Sequence, residues 1–112
     1  MKKPSTNDIL EMRKFLSATS YIYYILGDSV ISDAEWDYYA YALAKAQSDG
    51  DKNVGWYDEL FADFDGSTGM HLPKDAEIKK LANSLLMEWS EYKQQENENK
   101  FQILVAFFFL YV

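Results

Sequence analysis

A helix stop followed at once by a helix start constrains this chain more than any other feature. Apolar residues recur at Ile9, Met12 and Leu16 and then at Ile22, Ile25 and Leu26, the spacing of a helix face. Ser5-Thr6-Asn7-Asp8 places several capping oxygens ahead of that series. Gly27-Asp28-Ser29 ends it. Ser32-Asp33-Ala34-Glu35 then has the capping-box pattern, a serine whose hydroxyl caps a new helix and a glutamate three residues on that reaches back to it. Trp36, Ala40, Leu43 and Gln47 share one face of that second helix, which stops at Ser48-Asp49-Gly50. Two helices, at about 6–26 and 33–48, joined by so short a turn form an antiparallel pair.

The remainder is less regular but still helical. Residues 49–70 hold Asp49, Asp51, Asp58, Glu59, Asp63 and Asp65 against Lys52 alone, with Trp56, Leu60, Phe61 and Phe64 spaced for a short amphipathic helix near 56–64. Asp65-Gly66-Ser67-Thr68-Gly69 is turn chemistry. After Pro73, Ile78, Leu81, Leu85, Leu86, Trp89 and Tyr92 keep helical spacing beneath a Lys/Glu/Gln-rich face, predicting a long helix near 74–96. The expected fold is all-α, a single small helical domain over 1–100. Residues 101–112, FQILVAFFFLYV, follow as an apolar tail in which Gln102 is the one polar residue. Twelve residues fall short of the roughly 20 that a membrane-spanning helix needs. The tail therefore reads as a terminal element packed on the core, or as the product of a shifted frame or truncation, in preference to a membrane or partner contact. No apolar run follows Met1-Lys2-Lys3-Pro4, so no signal peptide is expected and a cytoplasmic location is.

Composition excludes function classes without identifying one. The absence of cysteine removes disulfides, thiol nucleophiles and thiolate zinc sites, and a lone histidine, His71, removes multi-histidine metal centres. A net charge of −7 argues against a surface that coats nucleic acid. The acidic Asp63-Phe64-Asp65-Gly66 fails as a calcium loop, because placing Gly66 at the sixth position puts Phe61 and Leu72 where acids are required. Gly66-Ser67-Thr68-Gly69 lacks the lysine and spacing of a phosphate-binding loop. His71 reads as a loop or surface residue, and no metal is expected.

The informative stretch is Tyr23-Tyr24, a short turn, and then Ile31-Ser32-Asp33-Ala34-Glu35-Trp36-Asp37. It resembles the small N-terminal helical domain of NAD-dependent bacterial DNA ligases, whose pattern is Tyr-Tyr, a turn, and Ile-Ser-Asp-x-Glu-Tyr-Asp. The likeness covers about the first 45 residues. Asp65-Gly66-Ser67-Thr68-Gly69 with Leu72-Pro73 is similar, more weakly, to a Gly-Thr-Gly turn of small phage-encoded proteins that carry the same module. In that family the domain grips the nicotinamide mononucleotide half of NAD, and the resemblance carries this role onto Tyr23, Tyr24, Asp33, Trp36 and Asp37. The chain departs from the family at Trp36, where a tyrosine is usual, so a larger ring is available but its hydroxyl is missing.

These residue types suit the ligand on physical grounds too. Oxidised nicotinamide is a flat cationic ring bearing an amide; aromatic faces attract such a cation by roughly 0.5–2 kcal/mol, and carboxylates match its charge. Asp33, Trp36 and Asp37, at i, i+3 and i+4, share a face near the start of the second helix. A phosphate could use the free amides of that helix start. Equally, Tyr21, Tyr24 and Trp36 could simply pack the hairpin while Asp33 and Asp37 favour the helix dipole.

No Lys-x-Asp-Gly adenylation motif is present: the residues two before Asp49-Gly50 and Asp65-Gly66 are Gln47 and Asp63. The expectation is a non-catalytic accessory module that binds NAD or nicotinamide mononucleotide and acts with a DNA ligase or another host protein, in the host cytoplasm if phage-encoded. The alternative is a phage-type protein–protein interaction factor that keeps the hairpin and has lost the ligand.

Overall fold

A computed structural model describes residues 4–94. The expected last residues of the long helix, 95–96, and the apolar segment 101–112 lie outside the described residues. Helix α1 spans Thr6–Tyr24, α2 Asp33–Asp49, α3 Asp58–Phe61 and α4 Ala76–Gln94, with no strand among the described residues. The fold is all-α, as expected. None of these helices is long and apolar enough to cross a membrane.

Both helix starts form as the sequence predicts. Ser5 Oγ accepts from Asp8 N–H (3.0 Å) while Asp8 accepts from Ser5 N–H (2.9 Å). Ser32 Oγ accepts from Glu35 N–H (3.1 Å), and Glu35 Oε1 accepts from Ser32 N–H (2.8 Å). Each box satisfies two amides that a helix start otherwise leaves without partners.

The first helix ends earlier than its apolar series suggests. It stops at Tyr24, and Ile25 and Leu26, expected on the buried face, are 50% and 42% exposed. The backbone turns there, Asp28 N–H donating to Ile22 O at 3.0 Å, so the two side chains leave the helical register before they reach the core. The second helix runs one residue further than expected. The short helix is a single turn, 58–61 rather than 56–64, with Phe61 and Phe64 buried but Leu60 41% exposed. The long helix begins at Ala76, two residues after its expected start.

α1 is the central element, packed against α4 on one side and α2 on the other. That position explains why every residue from Phe15 to Ile22 is buried, including Ser17, Thr19 and Ser20. A helix covered on two sides needs apolar or small residues around most of its circumference. One apolar cluster joins α1 to α4 through Phe15, Ile22, Ile78 and Leu85, with Val30 and Ile31 from the turn. A second joins α1 to α2 and α3 through Ile9, Leu16, Leu43, Phe61, Phe64 and Leu72. α2 runs antiparallel to α1: Phe15 packs edge-on against Tyr39 with ring centroids 5.5 Å apart, and Arg13 meets Gln47 further along.

Arg13 holds the irregular middle segment in place. Its side chain is fully buried, yet every bond it makes is to another part of the chain. Nε donates to Gln47 Oε1 (2.7 Å), Nη1 to Trp56 O (2.8 Å) and Asp58 Oδ1 (2.7 Å), and Nη2 to Lys52 O (3.1 Å). Gln47 in turn donates to Phe61 O at 3.1 Å, and the guanidinium lies 4.9 Å from the Phe61 ring centre. Asp58 also accepts from Val54 and Gly55 N–H at 3.1 and 2.9 Å. Arg13 and these amides hold the Asp58 carboxyl below its usual pKa.

The same segment is tied to α4 by Tyr57, whose hydroxyl donates to Asp75, and by Trp56 Nε1, which donates to Glu77. The Tyr57–Asp75 bond, more than burial or the charge of Asp75, pushes the phenol up from 10.0 to about 12. A folded-state pKa above the unfolded one favours folding below the lower value, and the benefit disappears as pH climbs through the higher one. Stability should therefore fall between pH 10 and about 12 by more in the native chain than in Tyr57→Phe, as read from denaturation midpoints across that window.

Candidate functional site

The turn between α1 and α2 forms the floor of a cavity of about 300 Å³. Tyr23 and Tyr24 enter from the end of α1, and Asp33, Trp36 and Asp37 from the first turns of α2. All five residues singled out from the sequence line this one cavity. Thr19 and Ser20 of α1, Ser29 to Ser32 of the turn, and Ser67 and Thr68 complete it. The turn chemistry at 65–69 thus meets the hairpin motif in space, although about 30 residues of chain separate them.

Local bonding sets each wall. Tyr23 and Tyr24 stand edge to face, ring centroids 4.9 Å apart at 88°, and both are largely exposed, so their aromatic surfaces are available at the mouth. Asp33 and Asp37 are exposed, as expected for helix-start carboxylates. The 65–69 loop is held by Asp65 Oδ1, which accepts from both the amide (2.9 Å) and the hydroxyl (2.6 Å) of Ser67. These bonds keep the Asp65 carboxyl below its usual pKa. Gly66 lets this loop lie on α2: its φ is +88°, and a Cβ there would stand 2.9 Å from Tyr41 Cδ1 and 3.1 Å from the Ala40 backbone. At Gly69 the loop crosses Ser20 and Trp36 so closely that a Cβ would stand 2.3 Å from Ser20 Oγ and 2.8 Å from Trp36 Cζ2.

Trp36 differs from the expectation of a ring free to stack. It is half-buried and packed against both apolar clusters, because α2 carries it into the seam between them. Its indole N–H is enclosed without an acceptor among the described residues, as is the Ser20 hydroxyl. The amides of the α2 start also differ from expectation. The capping box already engages those of Ser32 and Glu35, leaving fewer for a phosphate.

Ser20 was not visible as a site residue from the sequence, although the run of small residues Ser17-Ala18-Thr19-Ser20 inside an otherwise apolar helix is the signal it left. It is 3% exposed, lines the cavity and has no hydrogen-bond partner among the described residues. A buried hydroxyl left unpaired costs about 1–3 kcal/mol. Ser20→Ala should accordingly raise the stability of the ligand-free chain, by about 1 kcal/mol, in urea denaturation. An unchanged or lowered midpoint would mean that the hydroxyl is paired in solution.

Comparison with family models, curated proteins and solved structures gives no match to this chain.

Proposed function

We propose that this chain is a non-catalytic module that holds the oxidised nicotinamide half of NAD, or nicotinamide mononucleotide, in the cavity at the α1–α2 turn. The observation that carries this reading is the convergence of Tyr23, Tyr24, Asp33, Trp36 and Asp37 on one cavity that Ser67 and Thr68 also line. The residues fit the group: aromatic surface and two carboxylates suit a cationic ring, and hydroxyls along the walls suit a ribose. The volume lies at the lower end of the roughly 300–1,000 Å³ of small-molecule sites, which suits half a dinucleotide rather than the whole. The resemblance to the ligase domain supplies the biological setting, an accessory role in the cytoplasm beside a DNA ligase or another host protein.

Titration with nicotinamide mononucleotide, followed by tryptophan fluorescence and amide chemical shifts, tests the reading. Shifts should cluster at residues 19–37 and 67–68, and the reduced ligand, having lost its ring charge, should bind more weakly by about 0.5–2 kcal/mol. Affinity should be modest, since an open half-site covers little of its ligand. Asp33→Asn and Asp37→Asn are the informative variants, because both side chains are exposed and the substitution removes charge with little change of shape. No shift at millimolar ligand would favour the second reading, a protein-interaction module. That reading has its own support in Tyr38 and Tyr41, one helical turn apart on α2 and 68% and 58% exposed.

A further inference from the structure

Building on the nicotinamide reading of this cavity, we infer that its preferred ligand is a phosphate-free pyridinium nucleoside, nicotinamide riboside, rather than the mononucleotide or dinucleotide. Three features of the site point this way.

The first is charge. Among the described residues, the charged side chains that line the cavity are Asp33 and Asp37, and no lysine, arginine or histidine lines it. A pyridinium ring gains from two carboxylates at the mouth. A phosphate carried on the same small ligand sits within about 10 Å of them, the screening length at 0.1 M salt, and is repelled. The −7 charge of the whole chain adds to that repulsion.

The second is the start of α2. A helix start can serve as an anion seat, because its amides lack partners and its dipole favours negative charge. Here the Ser32 and Glu35 amides are engaged by each other's side chains, and the first turn carries Asp33 and Glu35. The place where a phosphate would ordinarily sit thus offers fewer amides and carries two acidic side chains.

The third is the neutral polar lining. Ser20 Oγ has no partner among the described residues although it is 3% exposed, and Ser29 Oγ, which donates to Ile31 O at 2.6 Å, can still accept. Thr68 Oγ1 accepts weakly from Met70 N–H at 3.2 Å and keeps its own proton to donate. Uncharged donors and acceptors of this kind match an amide and ribose hydroxyls. They do not neutralise a dianion.

The experiment is calorimetric titration of the full chain with nicotinamide riboside and with nicotinamide mononucleotide, each at low and at high ionic strength. The riboside should bind at least about fivefold more tightly at low salt, and the gap should close as salt screens the carboxylates. In the Asp33→Asn/Asp37→Asn double variant, with folding checked by circular dichroism, the gap should shrink even at low salt. Equal or tighter binding of the mononucleotide at low salt would overturn the phosphate-free preference while leaving the nicotinamide reading intact. A gap that persists unchanged in the double variant would overturn its electrostatic origin. Failure of both compounds to bind would remove the nicotinamide reading itself, and this inference with it.

Discussion

Arg13→Met should lose about 3–5 kcal/mol of unfolding free energy, because removing the fully buried guanidinium strands several acceptors at once, each costing about 1–3 kcal/mol when left unpaired. Domains of this kind have roughly 5–15 kcal/mol in total, so the variant would unfold at a much lower denaturant midpoint. The loss is large because methionine fills the space but leaves Gln47 Oε1, Trp56 O and Lys52 O without the donor that satisfies them. Arg13→Lys should recover little of it. A single ammonium cannot reach acceptors that the guanidinium meets through three separate nitrogens. Asp58→Asn should be milder, since Asp58 is 38% exposed and the other three acceptors keep the arginine paired. Near-native midpoints for Arg13→Met in urea would show that the middle segment is held by its apolar side chains alone.

Gly69→Val should close the candidate site and strain the fold together. The conformational freedom of glycine is not the issue at this position; space is. A branched side chain would start from a Cβ already 2.3 Å from Ser20 Oγ and 2.8 Å from Trp36 Cζ2. The serine can rotate away, but the indole is wedged between both clusters and cannot. Overpacking of this kind costs about 1–3 kcal/mol. Relief requires the 65–69 loop to lift, which displaces the Ser67 and Thr68 wall. Ligand affinity should fall more than tenfold, about 1.4 kcal/mol or more. Pairing Gly69→Ala with Ser20→Ala separates the two contacts: the double variant should be less destabilised than the sum of the singles, because the shorter contact has been removed. Strict additivity in denaturation would place the loop away from Ser20.

The helix pair was legible because its signals are local. Capping signals, a glycine-containing turn and a 3.6-residue period all act within a few residues; the Ser32–Glu35 box forms as read, and among the capping oxygens ahead of α1 it is Ser5 that caps, closing a second box with Asp8. Convergence of Tyr23, Tyr24, Asp33, Trp36 and Asp37 follows from the same hairpin geometry. What could not be read depends on distant parts of the chain. Arg13 looks like a surface residue until Lys52, Trp56 and Asp58 are brought to it, since a buried arginine is tolerated only where acceptors from elsewhere surround it. The role of Gly69 is set by Ser20 and Trp36, both far away in sequence. Ile25 and Leu26 misled for the opposite reason: their spacing was helical, but the turn that releases them to solvent acts before the periodicity ends.

The bonds of Arg13 bear on how such a chain can diverge. Through Arg13 and Gln47, the segment from Lys52 to Phe61 is gripped at three main-chain carbonyls, those of residues 52, 56 and 61. A grip on carbonyls is indifferent to the side chains that happen to sit there. Exposed positions such as Asn53 and Glu59 are therefore free to drift while the path of the loop stays fixed, whereas Arg13 and Gln47 must persist together. A descendant that kept Asp58 and the buried Phe61 but little else of the middle segment could hold the same path, its ancestry visible in one arginine and one glutamine 34 residues apart.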